Sequence, residues 1–414
     1  MDVYRDGGQW TLTAPRETLS RPVVEGDRVY VLVDGAATAL DRTNGSVLWR
    51  SPDRVTGELE SWQIDCTATG DHLVVPNGQL AGRTGKAGLS VLDAGSGALL
   101  WQSDAGPLDE YHTDRHTLVT VHSTGILPCR ITALDLATGS RLWQRDVDSL
   151  GSAVIADGRL ITYGQDDTGY GVVALDLRSG TELWRNTNHG GGLSLSWHGT
   201  AHDPSPLFVW SRFGGRMSWL SVETGDETGH FQVAPRIYAA QVVDGGRSVW
   251  LSSNGRRVHR FDASTPADGP SHSFHPLRHG LKRYREVAVP GDGWLYGVDR
   301  ARRLLAAPIG PGGRRPLPRL RWPKSVPPSA RRTNYPGVLT VGPGQVYLET
   351  PFARSSADRA VVAVREGRVR WRLPYKFSLA PPVPAGAGVL LVDSPPEHDR
   401  LRMVDAETGA FADA

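Results

Sequence analysis

Cysteine is almost missing from this chain: Cys66 and Cys129 are the only two in 414 residues. Two thiols cannot supply a disulfide framework for a chain this long, and neither belongs to a Cys-x-x-Cys pair with metal-ligand spacing. Free thiols in a reducing compartment are the expectation. Lysine is scarce as well, since Lys86, Lys282, Lys324 and Lys376 are the only lysines among 46 cationic residues. The arginine bias is what a GC-rich, actinobacterial genome produces without selection for recognition. A concentrated basic excess is also lacking, because the net charge is +2, and this sets nucleic acid aside as a partner. No apolar run is long enough for a membrane helix. Residues 1–8 show neither a basic start nor an apolar core, so no signal peptide is read there and a cytoplasmic location is expected. There is no Gly-x-Ser-x-Gly nucleophile elbow and no phosphate loop. The run His189-Gly190-Gly191-Gly192 fails as a nucleotide cradle, because a helix should follow and residues 193–197 alternate like a strand.

What is abundant is glycine, at 48, and proline, at 29, which leaves little room for long helices and argues for many short strands. With 39% hydrophobic and 22% charged residues, the chain has material for a sizeable core. A phrase of the form apolar-Asp-x-x-x-Gly-x-x-x-Trp recurs through it. It appears at Asp41, Gly45 and Trp49, at Asp93, Gly97 and Trp101, at Asp135, Gly139 and Trp143, and at Asp176, Gly180 and Trp184. Degenerate copies follow at Ser221 and Gly225, at Phe261 and Asp262, at Leu305, at Gly367 and Trp371, and at Asp405, Gly409 and Phe411. Their ends lie about 40 to 50 residues apart, the period of a propeller blade. Each copy follows a strand, a tight turn and a second strand, as in residues 22–34 with Gly26-Asp27 at the turn. Each unit is therefore read as a four-stranded antiparallel meander. The Asp carboxylate opens a turn by accepting from backbone amides, the Gly takes positive φ, and the Trp on the outer strand lies between neighbouring sheets.

These units resemble the tryptophan-docking blades of the pyrroloquinoline-quinone-type β-propellers. That family holds the quinoprotein alcohol dehydrogenases, an outer-membrane assembly lipoprotein that only binds partners, and sensor domains of actinobacterial Ser/Thr kinases. The resemblance implies an all-β fold, a single propeller over residues 1–414. Eight blades are expected, with nine units countable and seven to nine possible, and residues 2–13 are the candidate ring-closing strand. A dehydrogenase of the family would carry vicinal cysteines and a calcium ligand set. Cys66 and Cys129 are far apart, and no Asp-x-Asp-x-Asp-Gly loop occurs, so no cofactor and no metal are expected. The resemblance fixes architecture rather than activity.

Binding residues on such a ring gather where one blade's outer strand hands over to the next inner strand. An aromatic recurs there six times, as Trp62, Tyr111, Tyr238, Tyr284, Tyr335 and Phe377. Charge is sorted along the chain at the same places. Glu58, Glu60, Asp65, Asp109, Glu110 and Asp114 come early, and Arg236, Lys282, Arg283, Arg285, Arg331, Arg332 and Lys376 come late, with Asn334 beside Tyr335. An aromatic, electrically polarised channel mouth would suit a small molecule or peptide bearing carboxylate or amphoteric groups, or a protein partner. The same aromatics could instead plug the channel or pack on the neighbouring blade, and the same charges could simply face solvent.

His112, Asp114 and His116 form a His-x-Asp-x-His set at the edge of a predicted inner strand, where alternate residues share a face. Together with Tyr284 and Arg285 they are the candidate catalytic residues. Two functional classes therefore stand side by side. One is a propeller that binds a ligand, peptide or protein; the other is a cofactor-independent lyase, cyclase or isomerase of bacterial specialised metabolism acting at the same mouth.

Overall fold

The computed structural model describes residues 1–6, 9–15, 18–56, 66–77, 88–103, 108, 110–123, 129–166, 169–189, 193–196, 206–211, 215–232, 237–243, 248–253, 257–262, 270, 272–274, 284–288, 294–299, 304–308, 340–342, 344–350, 360–374, 381–393 and 398–411. Among them are nine antiparallel sheets, one for each repeat unit countable in the sequence, at the upper end of the expected seven to nine. Blades one to eight span 23–50, 67–103, 110–147, 149–186, 193–232, 237–274, 284–308 and 340–374. Seven of these sheets have four strands and the seventh blade has three. The ninth has five, because two N-terminal strands, Asp2–Asp6 and Gln9–Ala14, add to the three C-terminal ones, with Trp10 opposite Met403.

Each blade lies between two others, so its middle strands are apolar on both faces. In Arg28–Val33 and Ala36–Asp41 nearly every residue is buried, whereas the outer strand Val47–Arg50 is mostly exposed. This is why the sequence shows short continuous apolar runs there instead of a clean alternation.

The repeat's chemistry is visible in its turns. Asp135 Oδ1 accepts from the Thr138 amide at 2.9 Å and the Thr138 hydroxyl at 2.8 Å, and the Gly139 amide donates to the Asp135 carbonyl at 2.8 Å. Gly139 sits at φ +71°, and a Cβ there would fall 2.6 Å from the Trp101 ring. Glycine is thus required twice over, for its dihedral and for the indole lying on it. The same donors hold the carboxyls of Asp93, Asp135, Asp176 and Asp405 below their ordinary range, with Ser96, Thr138, Ser179 and Thr408 as the respective partners.

In five of the units the Trp reaches the next blade. The indole N–H groups of Trp49, Trp101, Trp143, Trp184 and Trp371 donate to the carbonyls of Ala94, Leu136, Leu177, Val222 and Ala406 at 2.8–3.0 Å. In every case the acceptor is the residue just after the turn-opening Asp or Ser. Trp10 makes the equivalent bond from the ninth blade to Arg42 of the first at 3.0 Å and lies on Gly45, which joins the last blade to the first.

A β-bulge sits immediately before the docking position in six blades, leaving Leu48, Leu100, Leu142, Leu183, Thr228 and Arg370 without a cross-strand partner. The extra residue bends the outer strand, which turns the following side chain toward the next blade and pushes the bulged one outward. Leu48, Leu100 and Leu183 are accordingly among the exposed large apolar residues.

Candidate functional site

In a four-stranded meander the first-to-second and third-to-fourth turns lie on one face of the ring. The second-to-third turns and the handovers between blades lie on the other. The Asp-Gly turns therefore occupy the first face, and the predicted channel mouth belongs to the second.

The structure divides the His-x-Asp-x-His set between a strand and the turn that follows it. The inner strand of blade three is Glu110–Thr113, so His112 belongs to the strand while Asp114 and His116 lie in the turn that follows it. Asp114 Oδ1 accepts from the amides of His116 at 2.8 Å and Thr117 at 2.7 Å, closing that turn. Its carboxylate thus works in the backbone, and the His116 side chain is exposed on the turn face. His112 stands alone of the three near Glu110, with Nε2 3.5 Å from Oε1. The spacing read as convergence spans the strand's end, so the three side chains do not share one face.

Tyr111 is tied to the neighbouring blade. Its hydroxyl lies 2.9 Å from the Thr67 hydroxyl on the inner strand of blade two, and it packs against the apolar cluster that joins blades two and three. Tyr238 lies on the inner strand Ile237–Val243, and Tyr284 and Arg285 on Tyr284–Ala288. Trp62, Asp65, Arg236, Lys282, Arg283, Arg331, Asn334, Tyr335, Lys376 and Phe377 lie outside the described residues.

Two buried polar clusters escaped the sequence reading. His189, with only 3% of its side chain exposed, follows the outer strand of blade four, and its Nε2 lies 3.9 Å from Glu227 of blade five. Glu227 accepts two bonds from the Arg216 guanidinium at 2.8 Å each and lies 2.8 Å from His230 Nδ1. Burial pushes the His189 imidazole below its ordinary pKa against the opposing pull of Glu227. Between blades eight and nine, Asp393 and Arg402 pair at 3.4 Å, and burial raises the Asp393 carboxyl while Arg402 lowers it. Arg402 also lies over the Phe411 ring, 4.6 Å from its centroid. No motif announces either cluster, since their members are spread over regular strands.

The quinone of the repeat's namesake can be tested against the residues present. Cys66 is buried before the inner strand of blade two and Cys129 begins the third strand of blade three, so they form no vicinal pair. Among the described residues no three His, Cys, Asp or Glu side chains are grouped to hold a metal ion. The residues present do not fit that group, and no chemistry is derived through it.

A family model described as outer membrane protein assembly factor BamB, built on this type of repeat, matches residues 6–186 and 130–272. The chain belongs to that family. Members similar to it include the outer membrane protein assembly factor BamB of Burkholderia pseudomallei. That protein is 28% identical over 263 residues, covering 60% of this chain and 65% of the relative. The same factor of Moranella endobia is 23% identical over 270 residues, covering 60% and 63%. The chain therefore spans less than two thirds of the length of either relative. Among solved structures, the computationally designed Ika8 protein shares the fold with a TM-score of 0.52 at 11% identity, covering 86% of this chain and 99% of that one.

These relatives correct two expectations. A cytoplasmic location and an actinobacterial source do not stand, because the matching proteins are named for the outer membrane and come from Burkholderia pseudomallei and Moranella endobia. Both expectations rested on composition and on the first eight residues.

Proposed function

We propose that this chain is a protein-binding propeller, a scaffold of the outer-membrane assembly type that positions a partner and performs no chemistry of its own. Family membership carries the reading, together with the use of Asp114 in a turn, which takes the carboxylate away from the His-x-Asp-x-His set. Its rigid ring suits the task, since indole docking at each of six seams fixes the blades while the handover face can vary. The contact surface is the aromatic, charge-sorted handover face. There Tyr238, Tyr284 and Arg285 lie on inner strands, and a partner presenting carboxylates would meet the cationic half.

The test is cross-linking in the native cells followed by purification of the tagged full chain. An assembly component of the outer membrane should be recovered in stoichiometric amount, and the pair Tyr284→Ala with Arg285→Ala should reduce that recovery at least tenfold without lowering the melting temperature. Recovery of the chain alone would end the scaffold reading. Recovery undiminished by the double substitution would move the contact off the handover face.

A further inference from the structure

The seam between the ninth and first blades departs in two facing positions from the seams that follow blades one and eight. In blades one and eight the first residue of the second strand reaches across to the next blade. Arg28 Nη1 donates to the Ala94 carbonyl at 2.6 Å, and Gln345 Nε2 donates to the Ala406 carbonyl at 2.8 Å. Both bonds land on the carbonyl that also receives the docking indole. In blade nine the equivalent residue, opposite the turn-opening Asp405, is Gly388. A Cβ on it would fall 2.5 Å from Met403 Sδ, so Met403 occupies the space where a cross-seam side chain would start.

Across the seam, the residue after the turn-opening Asp is apolar in blades two, three, four and nine, as Ala94, Leu136, Leu177 and Ala406. In blade one it is Arg42. The two departures leave a cavity of about 250 Å³ on the turn face, lined by Gln9, Arg42, Gly386, Met403, Val404 and Asp405 among others. Arg42 is half-buried at its wall, with its guanidinium carbon 3.7 Å from where a Gly386 Cβ would sit. No described acceptor takes its N–H groups. Asp405 commits Oδ1 to the Glu407 and Thr408 amides and the Thr408 hydroxyl, which leaves Oδ2 open.

The Arg42 guanidinium, which no described acceptor holds, keeps its donors open to a ligand carboxylate at the cavity wall. The neighbouring carboxylate oxygen disfavours a multiply charged anion and favours a cation beside the anion. The apolar floor supplied by Met403 takes a short aliphatic group. The volume lies below the roughly 300–1,000 Å³ of pockets for drug-sized ligands. From these we infer that the closing seam is a binding site for a small zwitterion, a free amino acid with a short apolar side chain. Its carboxylate pairs with Arg42 and its ammonium faces Asp405. The inference is independent of the scaffold reading, since the cavity opens on the opposite face of the ring.

Titration of the full-length protein with L-valine, butyrate, butylammonium and inorganic phosphate, followed by calorimetry and ligand-observed NMR, tests it. L-valine should bind, with butyrate and butylammonium each at least tenfold weaker and phosphate without effect. Arg42→Gln and Arg42→Ala should both lose L-valine binding at least tenfold while melting with the parent. The loss of the charge alone in Arg42→Gln separates recognition from packing. The inference is overturned if L-valine does not bind, if butyrate or phosphate matches it, or if both variants retain it.

Discussion

The seams from the eighth blade round to the fifth and those between the fifth and eighth solve one packing problem in two ways. From the eighth blade through the ninth and first to the fifth, each seam is an indole lying on a glycine with its N–H on a carbonyl. At the seam of blades five and six an aromatic cluster replaces the dock. Trp219 meets Phe261 edge-on at 5.2 Å and Phe231 meets Phe261 at 4.8 Å. Trp219 sits on the third strand, fully buried, and its indole N–H has no acceptor. At the seam of blades seven and eight the dock returns in altered form, with Trp294 of a second strand lying near Gly367. A closed ring needs apolar area at each seam; the hydrogen-bonded dock is one way to orient it.

Removing the large side chain is the strongest way to test this equivalence. Trp143→Ala and Phe261→Ala should each destabilise by about 3–5 kcal/mol, read from the denaturant midpoint at constant slope. A cost below about 1 kcal/mol for Phe261→Ala would show that the cluster is not what holds blades five and six together. Gly139→Ala comes next. A residue forced to φ +71° against the Trp101 ring should cost about 1–3 kcal/mol, whereas Gly158→Ala, at φ +70° with open space around it, should cost less.

A finer test keeps the area and removes the polar atom. Trp143→Phe should cost roughly 1 kcal/mol more than Trp219→Phe, because the first loses a bond to the Leu177 carbonyl and the second removes an unsatisfied buried N–H. Equal costs would mean that the docking bond contributes nothing net.

The smallest effect is pH dependence. His189 is held neutral by burial, so its folded pKa lies below the unfolded value of about 6.5. The unfolded chain then takes up the proton first. Stability is complete above that pH and declines as pH falls below it. Plots of stability from pH 7.5 to 5 should therefore slope more steeply for the parent than for His189→Gln, and parallel plots would refute the assignment. The turn carboxylates act in a separate window. Their lowered pKa values contribute stability above about 3.9 that is lost on further acidification.

Much of the fold was legible because the repeat encodes local chemistry. Asp93 or Asp135 with a Ser or Thr three residues on and a Gly four on can close only one kind of turn, and each turn sets the register of the two strands it joins. The candidate site was less legible. The spacing of His112, Asp114 and His116 is correct for one strand, but a period-two argument cannot say where the strand stops. Asp114 ended it by capping the turn itself. Tyr111 was read in the handover before an inner strand and lies on that strand, where its bond to Thr67 depends on a residue more than forty positions away.

The sequence by itself determined the blade, because turn chemistry and strand pattern act over ten to twenty residues. It also determined the seams wherever Trp and Gly recur in step. Only the tertiary structure decided what faces what across those seams. That includes the aromatic cluster that replaces the dock, the buried His189 beside Glu227, and the meeting of Gly386 with Arg42 where the last blade closes on the first. Those pairings join residues remote in sequence, and their energies come from burial and from the acceptors that burial leaves available. No local spacing encodes either.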